Sequence, residues 1–332
     1  MNNNLISKYR SVLMGFATLW IAFLHAQMWF RNPILATFKF TGHNGVDVFL
    51  FLSGFGLYYA YQKTQGIQFL KRRFLRILPI FIPVAIARII YYHYDAKNAF
   101  YLLTTLSFWI TYNRSMWYIS MIVVLYLLSP LYLKYCFKGR ETKCTIIAII
   151  LAFVISFFFL DKQQLLFFGR VPIFLLGIYF GYHSYHDHSM NRIQTILLFG
   201  LMVIGFIVEL YLHSIDVDDA ILFGKGGFWY CGFFFVPGLC YLIALCSKWL
   251  EEKNIKFINL FFEKLGKVSL AFYLLHEICI RFFSNIIHIN PPYDYNGILL
   301  NVLIIVFTYI LAYILQTCMS FILERVGLEK RS

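Results

Sequence analysis

Met14-Gly15-Phe16-Ala17-Thr18-Leu19-Trp20-Ile21-Ala22-Phe23-Leu24-His25 is an apolar run that carries one ionisable side chain, at its end. Such a run predicts a membrane-spanning helix with the imidazole in its outer half. A second signature follows: Gly42-His43-Asn44-Gly45-Val46-Asp47-Val48-Phe49-Leu50-Phe51-Leu52-Ser53-Gly54-Phe55. An imidazole in hydrocarbon is costly, so it faces a bundle interior or a wet cavity and marks a site by default. The alternative for His25 is a hydrogen bond to a neighbouring helix with no chemistry.

Composition extends this reading to the whole chain. Of 332 residues, 60% are apolar and only 14% charged, and the mean hydropathy is +0.69. A soluble protein of this length has too little interior to hide that much apolar surface. The fold expected is an all-α, polytopic membrane helix bundle. The formal net charge of +13 would suit nucleic acid. However, Lys and Arg fall in short clusters between apolar runs, which is how membrane proteins set their orientation, so no nucleic-acid partner is expected. The seven Cys, at 136, 144, 231, 240, 246, 279 and 318, form no C-x-x-C or His/Cys pattern. They read as small hydrophobes, and no metal is expected. Lys8 and Arg10 precede the first run and no small-x-small cleavage site follows it, which suits a retained signal-anchor helix.

A span needs about 20 apolar residues. Runs at roughly 11–30, 44–62, 75–93, 116–136, 144–160, 167–183, 193–212, 228–246, 267–288 and 298–322 give about ten spans in one domain over 1–332. Residues 99–112 are too short for a span and suit an interfacial or re-entrant piece. The basic clusters at 8–10, 63–76, 134–143, 248–267 and 325–331 outweigh the scattered Arg31, Lys39, Lys97, Arg114, Lys162, Arg170, Lys225 and Arg281. Both termini are therefore expected in the cytoplasm. The longest polar loops, 184–192, 213–227 and 247–266, are too short to fold alone.

Chemistry-bearing residues sit at the span ends. His25 lies roughly 21 Å above the inner end of its span by helical rise. His43, Asn44 and Asp47 open the second span, so Asp47 is placed to orient His25. Its alternative is a carboxylate favoured by a helix N-terminus. Ser53-Gly54 suits close helix packing. Arg73 and Arg76 share a face at the inner mouth, where two guanidiniums suit a phosphate or, alternatively, anchor to anionic lipid. Arg88 lies deeper, where anchoring does not explain it. Trp117-Tyr118 opens the fourth span, with an aromatic belt as the alternative. Arg170, His276 and Glu277 suit either a site or structural ion pairs.

Together these residues resemble the acyltransferase 3 family of integral membrane O-acyltransferases. The likeness is carried by Gly45 to Phe55, Arg73/Arg76/Pro79, Trp117-Tyr118-Ile119, Arg170/Pro172/Phe174/Gly177 and Gly266/Lys267/Ser269/Tyr273/Leu274/His276. It covers nearly the whole chain. There is one departure: the family's first-helix arginine, thought to help bind the acyl donor, is Met14 here, while Gly15 and His25 remain. Arg10 lies one turn earlier and leans away from His25.

The resemblance implies transfer of an acyl group, foremost acetyl, from cytoplasmic acyl-CoA to a hydroxyl of a surface polysaccharide or its lipid-linked precursor. His25 would be the base or acyl-transfer centre with Asp47 orienting it, and Arg73, Arg76 and Arg88 would hold the donor. The path would be lined by His43, Asn44, Ser53, Trp117, Tyr118, Arg170, His276 and Glu277. Cell-membrane location, lipid contacts and a sugar acceptor follow, and self-association stays open. Two rivals remain: a transporter or flippase without covalent chemistry, and a catalytically silent binding subunit, to which Met14 lends weight.

Overall fold

The computed structural model describes residues 4–28, 30, 32–111, 113–114, 116–159, 162–214, 227–287 and 295–328. Arg31, Lys225, Lys330, Arg331 and most of the expected loop 213–227 lie outside them. Among the described residues every regular element is a helix.

The principal helices are α1 (Arg10–His25), α2 (Asn44–Lys63), α3 (Gly66–Phe74), α4 (Leu78–Tyr91), α5 (Trp117–Cys136), α6 (Glu141–Phe159), α7 (Val171–Tyr185), α8 (Arg192–Ser214), α9 (Gly227–Glu252), α10 (Lys256–Lys267), α11 (Ser269–Ile287) and α12 (Tyr295–Arg325). Six stretches are long and apolar enough to cross a membrane: those of α5, α6, α8, α9 and α12, and Gln164–Tyr185, which joins the short helix Lys162–Phe168 to α7. The pair α3 and α4 makes a seventh if its 43° bend lies within one span. That bend falls before Pro79, whose ring disfavours helix at the preceding residue. α1 is short, and α2 and α11 carry polar residues inward. Helices surrounded by other helices need less apolar surface than those facing lipid.

α2 is the central post. Fourteen of its residues, from Asn44 to Tyr58, are buried. It packs along α7, α1 and α9. The α2–α7 contact is made by glycines: a Cβ on Gly54 would strike the Phe174 carbonyl, and one on Gly177 the Phe51 carbonyl. Small residues let these backbones touch, which matches the packing reading of Ser53-Gly54. The apolar piece at 99–112 forms two short helices, Ala96–Leu103 and Ser107–Ile110.

One expectation is corrected. The stretch 247–266 is not a polar loop: α9 continues to Glu252 and α10 follows. Its lysines disguised a helix that lies against α1, where Gly15 and Gly266 remove the side chains that would separate the two backbones.

Candidate active site

α1 ends on His25 at the point where α11 delivers His276 and Glu277 and α4 delivers Arg88. These four side chains form one wall of a cavity of about 400 Å³. The two imidazole rings lie 5.0 Å apart, tilted by 53°. His276 Nδ1 hydrogen-bonds the Tyr273 carbonyl one turn back. A carbonyl only accepts, so Nδ1 carries the hydrogen and the neutral ring has its lone pair on Nε2. That Nε2 is buried without a hydrogen-bond partner.

Glu277 Oε2 accepts from Arg88 Nη1 at 2.9 Å, and its charge acts on both histidines. Arg88 thus has the internal partner that its depth demands. This also corrects its grouping with Arg73 and Arg76: Arg88 belongs to the histidine wall. A second cavity of about 380 Å³, lined by Gln27, Arg281 and Asn285 among others, shares His25 and Glu277 with the first.

The opposite wall comes from the starts of α2, α5 and α7. Arg170, just ahead of α7, sets its Nε 2.9 Å from Asp47 Oδ1 as an ion pair, and both side chains are buried. The guanidinium lies 5.2 Å from the Trp117 ring centroid, near cation–π range. Asp47 therefore holds Arg170, and the carboxylate facing His25 is Glu277; the expected Asp47–His25 pairing is not what the fold makes. Tyr118 is buried and packed against Tyr273, so it is core and not an aromatic belt. Met116, with φ of +56°, is held in the left-handed region at the turn that aims Trp117.

Behind this wall sits Glu209 of α8. Asn44 Nδ2 donates to both its oxygens, at 2.7 and 2.9 Å, and His43 Nε2 lies 3.3 Å from Oε1. His43 Nδ1 contacts the Phe40 carbonyl at 3.0 Å. The Phe40 carbonyl fixes the ring of His43 through Nδ1, so it lines the cavity as an oriented group. Gly232 makes the close approach possible, since a Cβ there would lie 2.7 Å from Asp47 Oδ2.

At the other end of α1 the chemistry differs. Arg73 is buried, and the charges of Arg10 and Arg76 and the hydroxyl of Tyr126 act on it. Arg10 Nη2 donates to the Leu52 carbonyl at 3.3 Å, and its guanidinium lies against Gly56. No described carboxylate figures among the charges acting on Arg10 or Arg73.

A family model described as an acyltransferase domain matches residues 11–317. The chain belongs to the acyltransferase 3 family. No curated protein and no solved structure matches it. The family's motif residues divide between three places: His276 joins His25 in the histidine wall, Trp117 and Arg170 face it, and Arg73 and Arg76 stay at the inner mouth. No three described His, Cys, Asp or Glu residues are grouped so as to hold a metal ion.

Glu209 escaped the sequence reading. Its signal was present: one carboxylate inside an otherwise apolar run, Ile193 to Leu212, is as costly as an intramembrane histidine. α8 turns Ile204, Ile207 and Tyr211 outward and buries Glu209 completely.

Proposed function

We propose that this chain is a membrane O-acyltransferase that moves an acyl group, foremost acetyl, from cytoplasmic acyl-CoA to a hydroxyl of a cell-surface polysaccharide or its lipid-linked precursor. It sits in the cell membrane with ten crossings and both termini inside; α1, α2, α11 and the bent α3–α4 pair join the six apolar spans. Arg73 and Arg76 take the donor's phosphates from the cytoplasm. The observation that carries the reading is the pair of imidazoles 5.0 Å apart on a buried cavity.

In the reaction, the acceptor oxygen bonds to the thioester carbon and the carbon–sulfur bond breaks. His25 takes the hydroxyl proton as general base. Glu277, held by Arg88, stabilises the imidazolium that forms. The proton then leaves with the thiolate as CoA thiol. His276 Nε2 is placed to relay it. Trp117, Arg170 and His43 bound the acceptor's side.

A transport reading has one observation in its favour, the meeting of two cavities at His25 and Glu277. Purified protein in lipid nanodiscs separates the two. Acetyl-CoA hydrolysis or transfer to glycan is expected, and His25→Ala lowers the rate about 10²–10⁴-fold with the thermal midpoint retained. An unmodified protein that neither hydrolyses nor transfers overturns the enzyme reading. Mass spectrometry of surface glycans, with and without the protein, names the acceptor.

A further inference from the structure

We infer that Arg10, Arg73 and Arg76 form one seat for a phosphate ester, in which Arg10 supplies the cation that Met14 does not. The inference rests on the acyltransferase reading for the identity of its ligand, and on the arginine geometry for the seat itself.

The first step is energetic. A guanidinium removed from water is costly unless an anion and hydrogen bonds replace the water. Elsewhere in this protein that condition is met by acids: Asp47 for Arg170, Glu277 for Arg88. At the inner mouth it is not. The Nε atoms of Arg10 and Arg73 are buried without a hydrogen-bond partner, as is that of Arg88; what sets the first two apart is that no described carboxylate is among the charges acting on them. Lipid anchoring accounts for the exposed Lys71 and Arg72. It does not account for drawing a half-buried Arg10 and a buried Arg73 close enough to act on each other. An anion brought in from outside resolves both costs.

The second step is geometric. The three guanidiniums come from separate places: α1, α3 and the turn before α4. Leu52 fixes one edge of Arg10, and Gly56 leaves room for it, since a Cβ there would lie 3.2 Å from Cζ. Their charges act on one another, and neighbouring planar forks suit phosphate oxygens, which accept paired hydrogen bonds.

The third step is distance. Arg10 and His25 are the two ends of α1, roughly 22 Å apart by helical rise. The arm of CoA between sulfur and phosphate spans roughly 15 Å when extended, at the reach per bond of an extended chain. A hydrogen bond of about 3 Å at the phosphate and an approach of about 3 Å at the reacting carbon account for the rest. One donor therefore fits with its phosphate at Arg10 and its thioester at His25. Met14, only one turn up, is not needed.

Binding of CoA to protein in phosphatidylcholine nanodiscs tests the seat, with a parallel series in discs containing phosphatidylglycerol. Arg10→Met and Arg73→Met are each expected to weaken CoA binding ten- to a hundredfold, as for loss of a hydrogen bond to a charged group. Lys253→Ala with Lys256→Ala serves as the control and leaves binding within about twofold, the exposed lysines only anchoring. Adding Met14→Arg to Arg10→Met restores part of the affinity. Without ligand, Arg10→Met keeps or raises the thermal midpoint, because it removes an uncompensated, half-buried charge. CoA binding that needs Arg73 but not Arg10 overturns the inference and leaves the acyltransferase reading standing. Stabilisation by phosphatidylglycerol that depends on Arg10, with no CoA binding to the unmodified protein, keeps the seat but makes its ligand a lipid headgroup and overturns the donor reading. A midpoint that drops sharply in unliganded Arg10→Met shows a structural arginine and overturns the seat.

Discussion

The cavity at His25 and the arginine cluster at the inner mouth both bury charge, and they do so in opposite ways. Around the cavity each buried cation has its own acid: Arg170 with Asp47, Arg88 with Glu277. At the mouth Arg10 and Arg73 have each other and no described acid. A self-contained ion pair stabilises a shape with nothing bound. An acid-free cluster is complete only when an anion arrives. On the proposed reading the labour divides: the cavity keeps a fixed geometry for chemistry, and the mouth takes the donor.

The largest effect that sharpens this contrast is on stability. Asp47→Ala removes the carboxylate beside the buried Arg170 and is expected to cost about 3–5 kcal/mol, as for one partner removed from a buried pair. Arg73→Met removes a charge with no acid to strand and is expected to cost nothing in the unliganded protein. Thermal unfolding in one detergent ranks the two. Equal losses would break the comparison.

A smaller effect is expected inside the cavity. Glu277→Gln removes the charge that acts on His25 and weakens the hold on Arg88. The transfer rate at saturating donor should fall ten- to a hundredfold, the equivalent of about 1.5–3 kcal/mol for a hydrogen bond to a charged group. The donor KM should stay where it was, because the phosphates bind elsewhere. A KM that rises with kcat unchanged would place Glu277 on the donor path.

The same contrast explains what the sequence could carry. The helices and the residues of the cavity were readable, since each run is apolar and each polar intruder in it is costly. The partners were not. Asp47 stands four residues after His43, which favoured a histidine partner, but the close packing of α7 on α2 through Gly54 and Gly177 brings Arg170 there instead. Glu277, next to His276 in sequence, reaches His25 only because α11 packs on α1. Arg10 read as an orientation signal, because nothing local distinguishes a half-buried arginine from an anchoring one. The lysines of 253–267 masked α10, whose place is set by a contact between Gly15 and Gly266, remote in sequence.

The smallest effect is the most direct check that burial, and not distance, ranks these charges. Lys8 Nζ and Glu251 Oε2 lie 2.6 Å apart, closer than the buried Arg170–Asp47 pair at 2.9 Å, and Tyr9 adds its hydroxyl at 2.8 Å. The side chains are 57% and 35% exposed, however. Water already solvates both charges, so joining them returns little. Lys8→Ala is therefore expected to shift stability by less than about 1 kcal/mol. That remnant should shrink further in salt, as exposed charges are screened over about 8 Å at physiological ionic strength. Asp47→Ala should keep its full cost under the same salt, since its pair is buried. If Lys8→Ala proved as costly as Asp47→Ala, contact distance would govern the pairs, and the assignment of the inner arginines by their burial would lose its footing.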